Sequence, residues 1–209
     1  MNKILYVKGS PMGELSSSIA VASSFVKAYR EKHAIEVDTL DLFADSLPEF
    51  DRAAANGKYA LLHGGAVQEE DAAAWRKVEQ VIRRFKNADK YVFSVPMWNF
   101  GIPYRLKQLL DLVIQPGSTF SYEPGKGYSG LLTGKKAFVI YSRGGEYTAD
   151  SGAAAYDMQK PYFELALGFM GISDVVSVVL EPTLAGGPQV SSEKLQIAIA
   201  KAGKLVDEF

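Results

Sequence analysis

Short unbroken apolar runs alternate along this chain with longer stretches whose apolar positions recur every three or four residues. Ile4 to Val7 is one such run. It closes on Gly9-Ser10-Pro11, as a strand buried on both faces of a parallel sheet should. From Ser17 to Glu31, Ile19, Ala22, Val26 and Tyr29 fall at helical spacing. Ile35, Val37 and Thr39 alternate with charged neighbours and predict a strand with one less buried face. Trp75, Val78, Ile82 and Phe85 form a helical stripe, and Tyr91 to Val95 a third strand that Pro96 stops. Pro103 suits the first position of the next helix, with Leu106, Leu109, Leu110 and Val113 along one face. Ala137 to Tyr141 and Val175 to Leu180 are the fourth and fifth strands. Helices are predicted after them, over Ala153–Met170 and over Ser192–Glu208 with Leu195, Ala198, Ala202 and Leu205 in register.

Strand and helix units in this alternation predict a parallel sheet covered by helices on both faces. No internal repeat or linker interrupts the 209 residues, so the expectation is one domain, residues 1–209. Pro116 to Lys136, rich in Gly, Pro, Ser and Tyr, is too long for a tight loop. It is expected to be a small excursion, such as a hairpin, near the carboxyl edge of the sheet.

Composition narrows the chemistry. A net charge of -1 gives no electrostatic reason to expect nucleic acid or an acidic membrane as partner, and no apolar run approaches a bilayer span. Met1 to Val7 reads as a first strand rather than a signal peptide. The absence of cysteine excludes thiolate catalysis and disulfides and fits a reducing cytoplasm. His33 and His63, the only histidines, stand in no metal-ligand spacing and read as surface residues. Chemistry that leans on neither Cys nor His points to an organic cofactor.

Ligands of an open parallel sheet bind beyond the carboxyl ends of its strands. After the first strand, Gly9 to Ser18 ends in Ser16-Ser17-Ser18 at a helix start. Hydroxyls there with free backbone N–H groups make a monophosphate cradle, and plain helix capping explains the same serines. The run is neither a P-loop nor a dinucleotide fingerprint. The one GxGxxG match, Gly125 to Gly130, precedes a strand and is discounted. After the third strand, Met97-Trp98-Asn99-Phe100 sets two aromatics around an amide, suited to a flat heteroaromatic ring, with a buried turn packing aromatics into the core as the alternative. After the fourth, Ser142-Arg143-Gly144-Gly145 lets backbone N–H groups approach a ligand, or is an ordinary glycine turn.

Together these residues resemble the FMN-dependent NAD(P)H azoreductase/quinone reductase family. The resemblance spans nearly the whole chain. It rests on Ser10, Ser16 to Ser18, Met97 to Phe100, the Gly101-Ile102-Pro103-x-x-Leu106-Lys107 run, Thr119 to Tyr122, and Ser142 to Gly145. It implies a flavodoxin-like, doubly wound sheet of five parallel strands in the order 2-1-3-4-5, helices on both faces, and the excursion after the fourth helix. Ser10, Ser16, Ser17 and Ser18 would then hold the FMN phosphate. Met97, Trp98, Asn99 and Phe100 would contact the isoalloxazine and ribityl, and Ser142, Arg143, Gly144 and Gly145 the pyrimidine end. Family members commonly carry Tyr where Trp98 stands. The resemblance further implies a homodimer with active sites at the interface, so that Phe120 and Tyr122 would close on substrate near the partner chain. The resemblance assigns no role to residues 51–71.

The implied activity is reduction of quinones or azo compounds by two electrons from NADH or NADPH, in ping-pong fashion through one pocket, with no side chain named as proton donor. Two other classes compete. A flavodoxin-type electron carrier shares the fold, but such carriers are usually smaller and markedly acidic. A serine or metal-dependent hydrolase would need a base or metal cluster that two poorly placed histidines do not supply. A pure FMN-binding regulatory module is a third reading that nothing specific favours.

Overall fold

A computed structural model describes residues 2–209. Its strands are β1 (Asn2–Lys8), β2 (Ile35–Asp41), β3 (Lys90–Pro96), β4 (Phe120–Glu123), β5 (Gly127–Gly130), β6 (Lys136–Ser142) and β7 (Asp174–Leu180). Its helices are α1 (Ser17–Lys32), α2 (Arg52–Leu62), α3 (Glu69–Lys86), α4 (Tyr104–Val113), α5 (Lys160–Phe169) and α6 (Gly187–Lys204). Five strands form one parallel sheet in the order β2-β1-β3-β6-β7. Counting only those five, this is the expected order 2-1-3-4-5.

Period-two alternation sends the two sides of each central strand into two separate cores. Tyr91, Phe93, Val95, Val139 and Tyr141 meet Val78, Ile82, Phe85, Leu106, Leu109 and Phe163 from α3, α4 and α5. Val92, Phe138, Ile140 and Val178 meet Val21, Ala22, Phe25, Ala198 and Ala202 from α1 and α6. The helices therefore cover both faces. No helix among the described residues is long and apolar enough to cross a membrane.

Two expected helices start elsewhere, and residues 51–71, for which no element was expected, hold one. The helix expected over Ala153–Met170 begins only at Lys160, with isolated 3-10 turns at Ala149–Ser151 and Ala154–Tyr156 before it. Pro161 lacks an N–H and fits only the first turn, and Asp157 Oδ1 accepts the amides of Gln159 and Lys160 at 3.1 and 3.2 Å, which fixes the start. At the other end of the chain, α6 starts at Gly187 rather than Ser192, with Pro188 in its first turn. Residues 51–71 hold α2, capped by Asp51, whose Oδ1 accepts the Ala54 amide at 2.9 Å.

The excursion after α4 contains the antiparallel pair β4–β5. It was expected near the carboxyl edge of the sheet and lies at the opposite end. Leu132 N–H donates to the carbonyl of Met170 at 2.8 Å, and Gly130 lies hard against Gly171, at the end of α5 where the chain turns into β7. A parallel crossover helix starts at the carboxyl edge and finishes at the amino edge, so its last turn carries the hairpin away from the strand ends.

Candidate active site

At the carboxyl edge the sheet's hydrogen bonding continues into the loops. Leu42 N–H donates to the carbonyl of Lys8, Gly9 N–H to that of Ser94, Met97 N–H to that of Ser142, and Arg143 N–H to that of Leu180, at 2.8–3.0 Å. Consecutive strand-end loops are thus stitched side by side into one crest. Gly9 is required there: a Cβ would stand 2.5 Å from the Ser94 carbonyl oxygen.

The first loop delivers the serines. Ser10 is buried and its Oγ accepts the Met12 amide at 3.3 Å. Ser16 is the N-cap of α1: its Oγ accepts the Ile19 amide at 3.4 Å and lies 3.1 Å from Ser18 Oγ. The capping alternative therefore holds for Ser16. It does not exhaust the group, because the Ser17 and Ser18 amides precede the first intrahelical bond, Ala20 N–H to the Ser16 carbonyl. Two free N–H donors, the positive end of a sixteen-residue helix and three nearby hydroxyls fit a phosphate monoester.

The second loop is a two-residue turn. Trp98 and Gly101 exchange both backbone hydrogen bonds, at 3.0 and 2.9 Å. Between them Asn99 and Phe100 both hold positive φ, 46° and 70°. Such a turn favours Asn at its first central position and Gly at its second. A phenylalanine in the left-handed region costs about 1–2 kcal/mol, and strain of that kind collects at functional sites. The two aromatics on either side of Asn99 diverge. Trp98 lies 5.7 Å from the Phe43 ring and 6.1 Å from that of Tyr104, towards β2. Phe100 stacks on Tyr156 at 5.2 Å with Tyr147 at 6.4 Å, towards β6. Asn99 is left exposed at the tip, and Met97 is half-buried beside it.

The third loop splits its four residues. Ser142 and Arg143 are buried, and the Arg143 guanidinium turns inward to Asp157 at 2.6 Å, Gln159 at 3.0 Å and Glu181 at 3.3 Å. It is thereby withdrawn from ligand contact. The amides of Gly144 and Gly145 take no part in the bonds that hold this loop, while the Gly144 carbonyl anchors Leu184 and Ala185. Those two free amides fit an electron-rich ring edge. Burial, reinforced by Glu164, pushes the neighbouring Tyr141 hydroxyl far above the usual phenol range, so it stays neutral.

Phe43, Tyr147, Tyr156 and Gln159 went unnoticed in the sequence. Phe43 was findable, since it follows the second strand by two residues and the strand-end rule applies there as well. Arg105, within the Gly101-to-Lys107 run, fixes its loop through the carbonyls of Leu42 and Asp45 at 2.6 and 3.0 Å. Phe120 and Tyr122 do not join the crest. Phe120 packs on Phe169 at 4.8 Å and Tyr122 on Tyr128 at 5.0 Å, both on the hairpin at the far end of the sheet. The discounted Gly125–Gly130 match falls on that same hairpin. His33 and His63 are exposed helix C-caps.

The crest is an open shelf rather than a closed cavity, rimmed by exposed Met12, Leu15, Phe100, Tyr156, Met158 and Leu184. A hollow of about 460 Å³ lies on the flank between α1 and β2, lined by Tyr6, Lys27, Arg30 and Thr39 among others, and neither glycine loop borders it.

Known proteins share this fold. The family model described as "Flavodoxin-like fold" matches residues 2–206. An "FMN-dependent NADH:quinone oxidoreductase" of Nitratidesulfovibrio vulgaris is 48% identical over 210 residues, covering 100% of both chains. The crystal structure of an azoreductase from Bacillus anthracis superposes with a TM-score of 0.91 at 31% identity, over 100% of both chains. An FMN-dependent NADH-azoreductase of the same species, solved in complex with FMN, gives 0.91 at 27% identity, covering 100% of this chain and 99% of that one.

Proposed function

Because this chain belongs to the flavodoxin-like family that includes FMN-dependent NADH:quinone oxidoreductases and azoreductases, we propose that it is itself an FMN-dependent NADH:quinone oxidoreductase. It binds FMN at the crest and also reduces azo compounds. The observation that carries this reading is the meeting, along one edge, of a helix N-terminus with free amides, a strained aromatic turn and two free glycine amides. Each fits a different part of one mononucleotide: phosphate, ring face and pyrimidine edge.

FMN, when bound, supplies the redox chemistry, taking two electrons from NADH and passing two to the acceptor in a separate half-reaction. The chain's own contribution is placement and charge. The Ser17 and Ser18 amides with the Ser10, Ser16 and Ser18 hydroxyls hold the phosphate. The Trp98–Gly101 turn sets the ring plane, with Met97 and Asn99 beside it. The Gly144 and Gly145 amides stabilise negative charge at the pyrimidine end, with Ser142 and Arg143 fixing that loop from below. A single pocket above the ring, used in turn by NADH or NADPH and by acceptor, makes the reaction ping-pong.

The whole chain works as a single cytoplasmic domain, and two copies complete two sites. The open, apolar-rimmed shelf supports a partner. So does the hairpin: at the far end of its own sheet, Phe120 and Tyr122 can meet substrate only in a neighbouring subunit.

Anaerobic titration with FMN and then NADH, with a quinone added last, tests the reading by visible absorbance. Bleaching by NADH and return of the oxidised spectrum with quinone are expected. A flavin that binds but is not reduced by NADH would instead mark an electron carrier.

A further inference from the structure

Gln159 is fully buried, yet every polar atom of its amide is used. Nε2 donates to the carbonyl of Val95 at 2.9 Å, near the end of β3. Oε1 accepts from Arg143 Nε at 3.0 Å, just past the end of β6. One side chain therefore spans the two strand ends from which the aromatic turn and the glycine loop depart. Arg143 carries the connection further, donating to Asp157 at 2.6 Å and to Glu181 at 3.3 Å. Glu181 also accepts the Tyr147 amide at 3.0 Å, and Asp157 caps α5 with its other oxygen.

The exposed parts of the crest hang on this hub. Met158, next to both Asp157 and Gln159, donates its amide to the Phe100 carbonyl at 3.0 Å. Thr183 N–H and Oγ1 donate to the Arg143 carbonyl at 2.8 and 3.0 Å, which brings the chain after β7 beneath Gly144. A buried charged cluster is a costly way to fill a core, and apolar side chains of the same volume often do as well for stability. What it adds is fixed geometry, since a planar guanidinium with three separate acceptors tolerates little displacement.

We infer that Gln159 and Asp157 are positioning residues that act through Arg143. They hold the Gly144–Gly145 amides and the Phe100 turn at a fixed separation, set for the ring of bound FMN. This rests on the FMN reading above. It separates the two functions of the crest: the α1 serines govern affinity through the phosphate, and the hub governs how the ring is presented.

The test uses the full chain loaded with FMN, with Gln159→Met, which keeps length and removes both hydrogen bonds, and Asp157→Asn, which keeps shape and removes the charge. Measured are FMN affinity by fluorescence, visible circular dichroism of the bound flavin, melting temperature, and KM and kcat for NADH. In folded variants, FMN affinity should stay within about threefold, the visible dichroism should change, and kcat should fall on the order of tenfold to a hundredfold with KM little moved, as small misplacements of reacting groups do. Gln159→Glu, which keeps the acceptor for Arg143, should recover part of the loss. Unchanged dichroism and kcat in either folded variant overturn the inference. Loss of FMN affinity parallel to loss of rate also overturns it, since the hub would then act on binding. Failure of the unmutated chain to bind FMN overturns the functional reading and this inference together, and shows itself before any variant is made.

Discussion

Met158 donates its backbone N–H to the carbonyl of Phe100 at 3.0 Å, and this bond joins the loop before α5 to a turn in which Phe100 sits at φ 70°. The Phe100 ring also stacks on Tyr156, two residues earlier. The strained turn is thus held from the β6 side by both backbone and side chain, while the Trp98 ring rests on Phe43 and Tyr104 on the other side.

Replacing Phe100 by Gly sets three effects against one another. Relief of left-handed strain returns about 1–2 kcal/mol. Loss of the Tyr156 stack costs about 0.5–1.5 kcal/mol, and the greater freedom of unfolded Gly about 0.5–1 kcal/mol. The expected outcome is stability close to that of the parent, within about 1 kcal/mol in urea unfolding, with a clear drop in quinone reduction. A large loss of stability, or full activity, would show that this residue is kept for packing rather than for the site.

Ser16 and Ser17 are adjacent and should separate cleanly. Ser16→Ala removes an N-cap and should cost about 1 kcal/mol of stability even without FMN. Ser17, half-buried and with no side-chain bond in the crest, should cost nothing measurable when changed to Ala. Ser16→Ala is expected to weaken FMN binding, and Ser17→Ala, which keeps the backbone amide that faces the phosphate, to leave it unchanged. Calorimetric melting with and without FMN checks this, and equal affinity for FMN in the parent and both variants would remove the phosphate assignment.

The strands were legible because four are apolar runs and the second an alternating one, their order came with the family resemblance, and glycine, serine or aromatic signals marked the loops after β1, β3 and β6. What escaped had physical reasons. In α2 the helical stripe is broken by Gly57, and Gly57 is there because α3 passes so close that a Cβ would collide with the Asp71 carbonyl. Its N-cap Asp51 was visible, but a cap without a periodic stripe behind it carries little weight. The alanines at 153–155 look helical one by one and are not, since nothing in local propensity reports the capping by Asp157 downstream. The inward turn of Arg143 depends on Gln159 and Glu181, which only the fold brings beside it. The hairpin's position is likewise a property of the crossover, not of its own residues.

Asp38 and Arg84 give a pH-dependent prediction. Three hydrogen bonds from Arg84, helped by Lys3, hold the Asp38 carboxyl below its ordinary value of 3.8. A lowered carboxyl pKa contributes stability in full above the unfolded value and loses it as pH falls through the folded one. Asp38→Asn should therefore cost about 1 kcal/mol near pH 7, a modest figure because the pair is partly open to solvent. The difference from the parent should hold down to about pH 5 and shrink below 3.8. Urea unfolding across that range is the measurement, and a difference independent of pH would assign the effect to packing of the Arg84 stem instead.

The placement of Phe120 and Tyr122 sets the last expectation. If these rings serve a neighbouring subunit, a chain altered only there has a sound crest, and a chain altered only at the crest has a sound hairpin. Take Phe120→Ala with Tyr122→Ala as one variant and Ser16, Ser17 and Ser18 all changed to Ala as the other. Each alone should form dimers whose two sites are both defective. After mixing in equal amounts and allowing exchange, half the dimers carry one chain of each kind. In those, the sound crest faces the sound hairpin at one site, and both defects fall on the other. About a quarter of all sites should then recover, which steady-state quinone reduction can read directly. Were the hairpin to act on its own crest, each chain would keep its own defect in any pairing, and mixing would restore nothing.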